Sequence, residues 1–334
     1  MSRLILIYNP NSSKFCHVKK NVLDGKEETF KDYDISEYTI EKIGFENNVK
    51  NLQKKLKDGD LCLALGGDAT AAITANAILN SEKDVTLAVL PYGNFNDLAR
   101  TLGTMRTDEM VAENGLLRGF RSAAARELAR EPRGDGSERR DPKKAVSTKL
   151  YPLEIYVDGK FWRYATCYVT IGMTAEAVEL FDAPKFRKYM QKGHKSSWRS
   201  YLALSKWYFK NRKQKIFLPE FTINGKKTIK HASDYAAVNG KSMCRVMKGG
   251  DDYKRPRIFR SKALKTISFP KLFILMARSI LIRTPGSETS YDKLEFKNKA
   301  TVELQAEGEY QIFKDIRTIE VKKGTKCLKV IQKN

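Results

Sequence analysis

Long apolar runs are missing from this sequence. The longest, Leu272 to Ile282, carries Arg278 inside it and is about half the length a membrane span needs. The N-terminus offers only Leu4 to Tyr8 before Asn9-Pro10. That is too short for a signal-peptide core and reads as a strand, so a soluble, cytoplasmic protein is expected. Cysteine is sparse: Cys16, Cys62, Cys167, Cys244 and Cys327 stand singly, with no C-x-x-C pair. This argues against a disulfide scaffold or a zinc site and suits a reducing compartment. Acidic residues are outnumbered, 39 against 62 Lys and Arg, leaving a net charge of +23. Such a field draws anionic partners, whether nucleic acid, acidic membrane or phosphorylated small molecules.

Lysine itself disappears between Asp84 and Pro142, where Arg106, Arg118, Arg121, Arg126, Arg130, Arg133, Arg139 and Arg140 replace it. Residues 104–148 therefore read as an atypical Arg-rich linker or insertion, with a basic amphipathic helix over Arg118–Arg130 and a Gly-, Pro- and charge-rich linker over Glu131–Lys144. On either side there is material for globular cores. The chain is 41% hydrophobic and 10% aromatic, which excludes wholesale disorder. Its 334 residues suggest two domains.

Residues 1–103 alternate short strands with helices. Leu4–Tyr8, Leu61–Leu65 and Val85–Leu90 are continuous apolar runs, and Asp34–Ile40 alternates with period two. Val49, Leu52 and Leu56 have helical spacing within Phe45–Leu56, and Ala71–Leu79 is an alanine-rich helix. Apolar strands between helices mean a parallel sheet covered on both faces. After residue 148 the pattern turns to antiparallel β, a sandwich or barrel. Tyr151–Val157 and Phe161–Ile171 flank Asp158-Gly159, and Phe217–Ile223 precedes Asn224-Gly225; both dipeptides are hairpin signals. Further strands are expected at Tyr235–Val238, Val302–Gln305, Ile316–Val321 and Cys327–Ile331, and one helix near Trp198–Lys210.

The chemistry concentrates in loops that leave buried strands. After Leu61–Leu65 comes Gly66-Gly67-Asp68-Ala69-Thr70 and then a helix. Two glycines let backbone approach a ligand, and the helix start aims N–H groups and a positive dipole at an anion. Thr70 is placed to cap that helix or bond a phosphate oxygen. Asp68 at a phosphate site requires Mg²⁺ or a proton between the negative groups. After the next strand comes Pro91-Tyr92-Gly93-Asn94-Phe95-Asn96-Asp97-Leu98-Ala99-Arg100, with Asn96 and Asp97 as helix caps. The first strand ends in Asn9-Pro10-Asn11-Ser12-Ser13. Three loops at one edge of one sheet form a nucleotide cradle.

These three segments resemble the diacylglycerol kinase catalytic-domain family, which includes bacterial lipid kinases, sphingosine kinases and ceramide kinases. Its members carry N-P-x-S-G, G-G-D-G-T and P-x-G-T-G-N-D-x-A-R at these relative positions. More loosely, Tyr168–Glu176, Asn239 with Gly249-Gly250, and Glu307-Gly308-Glu309 look like later family segments, the last like its D-G-E. The resemblance implies an α/β nucleotide-binding domain over 1–103, a three-layer parallel-sheet fold. It implies a β-sandwich lipid-substrate domain over 149–311 and a C-terminal segment, 312–334, returning to the first domain. It implies ATP in the cleft between domains, Mg²⁺ as cofactor, Glu309 as general base, Glu307 assisting through metal or water, and Asp68 orienting Mg²⁺–ATP. Asn9, Pro10, Ser12, Gly66, Gly67, Asp68, Ala69, Thr70, Gly93, Asn96 and Asp97 would bind the nucleotide. Four departures stand out: Ala69 replaces the glycine of G-G-D-G-T, Asn94-Phe95 replaces Thr-Gly, Glu307 replaces Asp, and the family's P-x-A…D-G-x-L-D stretch is not recognisable between Arg255 and Phe269.

The expected activity is an ATP-dependent lipid kinase. An NAD kinase shares the G-G-D-G-T element, and a degenerate nucleotide binder is a non-enzymatic alternative. Within Lys185–Lys215, eleven Lys and Arg interleave with Phe186, Tyr189, Trp198, Tyr201, Trp207, Tyr208 and Phe209. That composition suits a peripheral membrane surface with anionic headgroups better than nucleic acid in a lipid kinase. Edge strands of such sheets often pair, which makes a homodimer an open expectation.

Overall fold

The computed structural model describes residues 2–12, 14–93, 95–104, 145–176, 218–243, 247–265 and 286–333. The expected Arg-rich helix and linker, the basic aromatic stretch with its expected helix, Cys244 and the run Leu272–Ile282 lie outside them. The chain divides into two compact units, residues 1–150 with 326–334, and residues 151–325. Among the described residues no helix is long and apolar enough to cross a membrane.

The first unit is a six-stranded sheet in the order Tyr33–Thr39, Ser2–Tyr8, Leu61–Gly66, Thr86–Pro91, Leu328–Lys333, Ala145–Leu150. All neighbours are parallel except the last pair. Strand order reverses between Ser2–Tyr8 and Leu61–Gly66, the place where open α/β sheets bind ligands beyond the strand C-termini. The apolar runs are central strands, and Leu4, Leu6, Leu63, Leu65, Ala88 and Leu90 share one core. Helix Asp68–Ser81 is buried from Thr70 to Leu79, because it packs against both strand Leu61–Gly66 and helix Phe45–Lys55. Alanines keep it thin enough to be covered on both sides. Its buried Thr74 hydroxyl and Asn76 amide donate to Thr70 O and Ala72 O, which removes the cost of enclosing polar groups. The helix ends at Glu82, in the left-handed region at φ 58°.

The second unit is a ten-stranded antiparallel sheet. Tyr291–Ala306 and Glu309–Lys323 are its long central pair. Register shifts between Glu295, Ala300 and Val302 bend the first of these strands. One end then pairs with Phe221–Ile223 and the other with Tyr168–Gly172. Strands from both ends bury Leu153, Phe221, Tyr235 and Leu304 in one core, the arrangement of a sandwich. Asp158-Gly159 and Asn224-Gly225 are hairpin turns with both residues at positive φ.

Two expectations are corrected. Phe161–Ile171 is not one strand but two, Lys160–Ala165 and Tyr168–Gly172. Between them the Cys167 carbonyl accepts from Asn239 N and Gly240 N at 2.7 and 2.8 Å, and its N–H is drawn to Glu307. Ladder bonding stops where those partners compete. The boundary expected at residue 312 falls inside strand Glu309–Lys323, whose inner face (Ile316, Ile319, Val321) is core of the second unit. The chain enters the first unit only at Lys326.

Candidate active site

In the first unit the three loops follow the C-terminal ends of adjacent parallel strands and are tied to one another. Tyr92 N–H donates to Gly66 O at 3.0 Å. The Lys14 ammonium donates to Gly93 O, also at 3.0 Å. Asp68 makes the firmest tie. Its Oδ2 accepts the Asn96 N–H at 2.9 Å and its Oδ1 the Asp97 N–H at 2.6 Å. These N–H groups open helix Asp97–Leu102, where no backbone acceptor exists and a carboxylate also meets the helix dipole favourably.

This changes the expected division of labour. Asn96 sits at the N-cap position with φ 55° and makes no side-chain cap bond. Its amide closes on Gly93 instead, accepting from Gly93 N at 2.8 Å and donating to Gly93 O at 2.9 Å. The cap comes from Asp68, a residue of another loop. Thr70 is not a cap either. The preceding helix begins at Asp68 with Gly67 as its N-cap, leaving Thr70 buried in the first turn.

The glycines are needed for closeness, not for left-handed backbone. A Cβ on Gly93 would lie 2.2 Å from Gly67 Cα and 2.7 Å from Asn96 Oδ1. A Cβ on Gly66 would lie 2.3 Å from Thr70 Oγ1. Gly93→Ala is accordingly expected to cost about 1–3 kcal/mol, the usual penalty for overpacking, and to weaken nucleotide binding by forcing two loops apart. Denaturant melts and calorimetric ATP titration check this; parental values for both would refute the packing argument. Ala69, by contrast, is exposed on the helix and has no positive φ, so its replacement of glycine carries no backbone strain. Phe95 is half-buried, and its carbonyl accepts from Arg100 Nε at 2.9 Å.

The first loop is a self-closed turn. Asn9 Oδ1 accepts Asn11 N–H at 2.9 Å and Asn9 O accepts Ser12 N–H at 3.0 Å; Pro10 is exposed. The structure thus gathers Gly66, Gly67, Asp68, Thr70, Gly93, Asn96 and Asp97 in one cluster, with Lys14 joining the Asn9–Ser12 turn to it. In the sequence Lys14 is marked only by its place after N-P-N-S-S. A cavity of about 270 Å³ lined by Lys50, Gln53, Lys54, Ser81 and Lys83 is not part of this cluster. It lies at the far end of helix Asp68–Ser81, roughly 20 Å away at 1.5 Å per residue.

In the second unit, Glu307 and Gly308, at φ 53° and 90°, are the two residues of a tight hairpin turn. Glu309 opens the next strand opposite Ala306. Glu307 is 4% exposed. Its Oε1 accepts both the Thr166 hydroxyl and the Cys167 N–H, so this carboxylate is committed to the corner between Lys160–Ala165 and Tyr168–Gly172. Glu309 is only partly buried.

Among the described residues no three His, Cys, Asp or Glu side chains cluster as a metal cage. Mg²⁺ held mainly by nucleotide phosphates needs only one or two protein carboxylates. Asp68, a carboxylate beside the Gly66-Gly67 turn, fits that modest demand.

Comparison with known proteins bears on the same loops. A diacylglycerol kinase from Bacillus subtilis (strain 168) is 31% identical over 121 residues, 36% of this chain and 39% of that protein. One from Staphylococcus epidermidis (strain ATCC 35984 / DSM 28319 / BCRC 17069 / CCUG 31568 / BM 3577 / RP62A) is 35% identical over 103 residues, covering 30% and 31%. The matched stretch therefore spans well under half of these relatives. The crystal structure of a diacylglycerol kinase from Bacillus anthracis str. Sterne covers 99% of this chain and 97% of its own, at 14% identity and a TM-score of 0.58; the likeness there is one of fold. Residues 3–125 match the family description "Diacylglycerol kinase catalytic domain".

Proposed function

We propose that this protein is an ATP-dependent lipid kinase that transfers the γ-phosphate to the hydroxyl of a lipid such as diacylglycerol. The observation that carries the reading is the three-loop cluster, locked by Asp68 and by the Gly67–Gly93 contact, within the residues that match the kinase domain. Phosphoryl transfer asks for positioning, charge neutralisation and a base. In the proposed reaction Glu309 accepts the proton of the lipid hydroxyl as its oxygen bonds to Pγ. The bond from Pγ to the β-bridging oxygen breaks, and ADP leaves with that electron pair. The loop N–H groups and Lys14 would position the phosphates, and Asp68, which holds two loops in register, would also help to hold Mg²⁺, whose charge would neutralise that of the phosphates. The net charge of +23 suits docking at an anionic membrane surface, where such a hydroxyl is presented.

The test is transfer of γ-labelled phosphate from Mg²⁺–ATP into total lipid extract, with NAD as a soluble competitor acceptor. A labelled lipid band, formed faster on vesicles rich in anionic lipid and slower at high salt, is expected. Label in NAD alone would replace the reading with an NAD kinase, and ATP binding with no transfer would replace it with a nucleotide binder.

A further inference from the structure

One buried charge in the second unit has no part in the reaction as written. Lys323 is 7% exposed, at the inward end of the alternation Ile319, Val321, Lys323. Its ammonium donates to Asn239 Oδ1 and, at 2.8 Å, to Asp252 O. Asn239 is fully buried and uses its remaining polar groups on one corner of the chain. Its Nδ2 donates to Thr166 O at 2.7 Å and to Tyr151 O at 2.9 Å, and its N–H to Cys167 O at 2.7 Å. The same Thr166 and Cys167 donate their hydroxyl and N–H to the Glu307 carboxylate in the Glu307-Gly308-Glu309 turn. A continuous set of hydrogen bonds therefore joins a buried cation to a buried carboxylate through two side chains and one backbone corner.

We propose that Lys323 is a positioning residue for the Glu307-Gly308-Glu309 turn, acting through Asn239 and the Thr166–Cys167 corner. Calling that turn catalytic rests on the kinase reading; the linkage itself does not. Removing the ammonium leaves Asn239 Oδ1 without its donor in a dry site, where the side chain can relieve the loss only by rotating. Rotation releases Thr166 O and with it the corner that fixes Glu307. Burial pulls the Lys323 pKa down to about 7 against the opposing attraction of Asp252. Asp252 is itself compensated by Arg260 at 3.4 Å and Arg255 at 4.0 Å, and both arginines also meet Glu288. The remaining titratable groups on the path are Glu307 and the Cys167 thiol. Since the folded-state value is depressed, the ammonium is present below about pH 7 and lost above it.

Two measurements on the full chain test this. In the transfer assay between pH 5.5 and 9, Lys323→Met is expected to lower kcat about tenfold or more with the KM for ATP within about twofold, the pattern of lost transition-state positioning. Lys323→Arg keeps a charged donor and is expected to hold kcat within about threefold of the parent. Parental kcat in a folded Lys323→Met, or a Lys323→Arg as impaired as Lys323→Met, would overturn the proposal. The second readout needs no activity: amide hydrogen exchange at Cys167, whose N–H donates to Glu307, is expected to speed up about tenfold or more in Lys323→Met. Parental exchange at Cys167 in a folded Lys323→Met would overturn the linkage, whereas faster exchange in a protein that phosphorylates no lipid would uphold the linkage and overturn the kinase reading.

Discussion

Replacing Glu309 with Gln is expected to lower phosphoryl transfer by about 10²–10⁴-fold, the usual contribution of a positioned general base. ATP affinity and melting temperature should stay close to parental. Of the two carboxylates in the turn, Glu307 is enclosed and already accepts from Thr166 and Cys167, so it holds the turn rather than meeting an incoming hydroxyl. Glu309 is one residue past the positive-φ pair and retains solvent access. Gln has the same shape but cannot take up a proton, which isolates base chemistry from packing. Glu307→Gln should give the complementary pattern. It keeps an acceptor for Cys167 N–H but loses charge assistance, with a stability loss of about 1–2 kcal/mol and a smaller loss of rate. Single-turnover label transfer with parallel thermal melts separates the two. Should Glu307→Gln lose more rate than Glu309→Gln at unchanged stability, the roles are reversed.

What could be read from the sequence was local and periodic. Leu4–Tyr8, Leu61–Leu65 and Val85–Leu90 announced central parallel strands because both sheet faces are covered, and Asp158-Gly159 and Asn224-Gly225 announced hairpins because few residue pairs adopt two positive φ values. What escaped depends on partners distant in the chain. Asp68 finds its N–H donors 28 and 29 residues later, so its short-range context suggested a phosphate site and Asn96 looked like the cap of its own helix. The break at Thr166-Cys167 is made by Asn239 and by Glu307, 140 residues beyond Cys167; nothing in Phe161–Ile171 itself interrupts the strand pattern. Glu307-Gly308 is a weaker hairpin signal than Asp-Gly or Asn-Gly, because Glu seldom takes the positive φ of 53° it adopts here. Lys323 did leave a trace. Continuing the period of Ile319 and Val321 by two residues places a lysine on the core face, a position that demands either partners or an altered pKa.

Asp68→Asn has the second largest expected effect, and it separates a metal ligand from a loop clamp. Both carboxylate oxygens receive backbone N–H groups, of Asn96 at 2.9 Å and Asp97 at 2.6 Å, and Asn96 and Asp97 are 7% and 1% exposed. An amide can accept only one of these bonds; its NH₂ then faces the other N–H, donor against donor. Losing one charge-assisted bond and leaving a buried N–H unpaired is expected to cost about 2–4 kcal/mol. The loop after Pro91 would no longer be held against Gly67, and the phosphates would lose their cradle. ATP affinity should fall by about tenfold or more, in line with one or two kcal/mol of lost preorganisation, and kcat should fall with it. Raising Mg²⁺ discriminates the two roles. A weakened metal ligand is compensated by mass action at high metal concentration, whereas a broken clamp is not, because the missing contact is between two segments of the chain. Asp68→Asn should therefore melt earlier and stay impaired at saturating Mg²⁺. Full recovery of activity with added metal, at a parental melting temperature, would return Asp68 to the role of metal ligand alone.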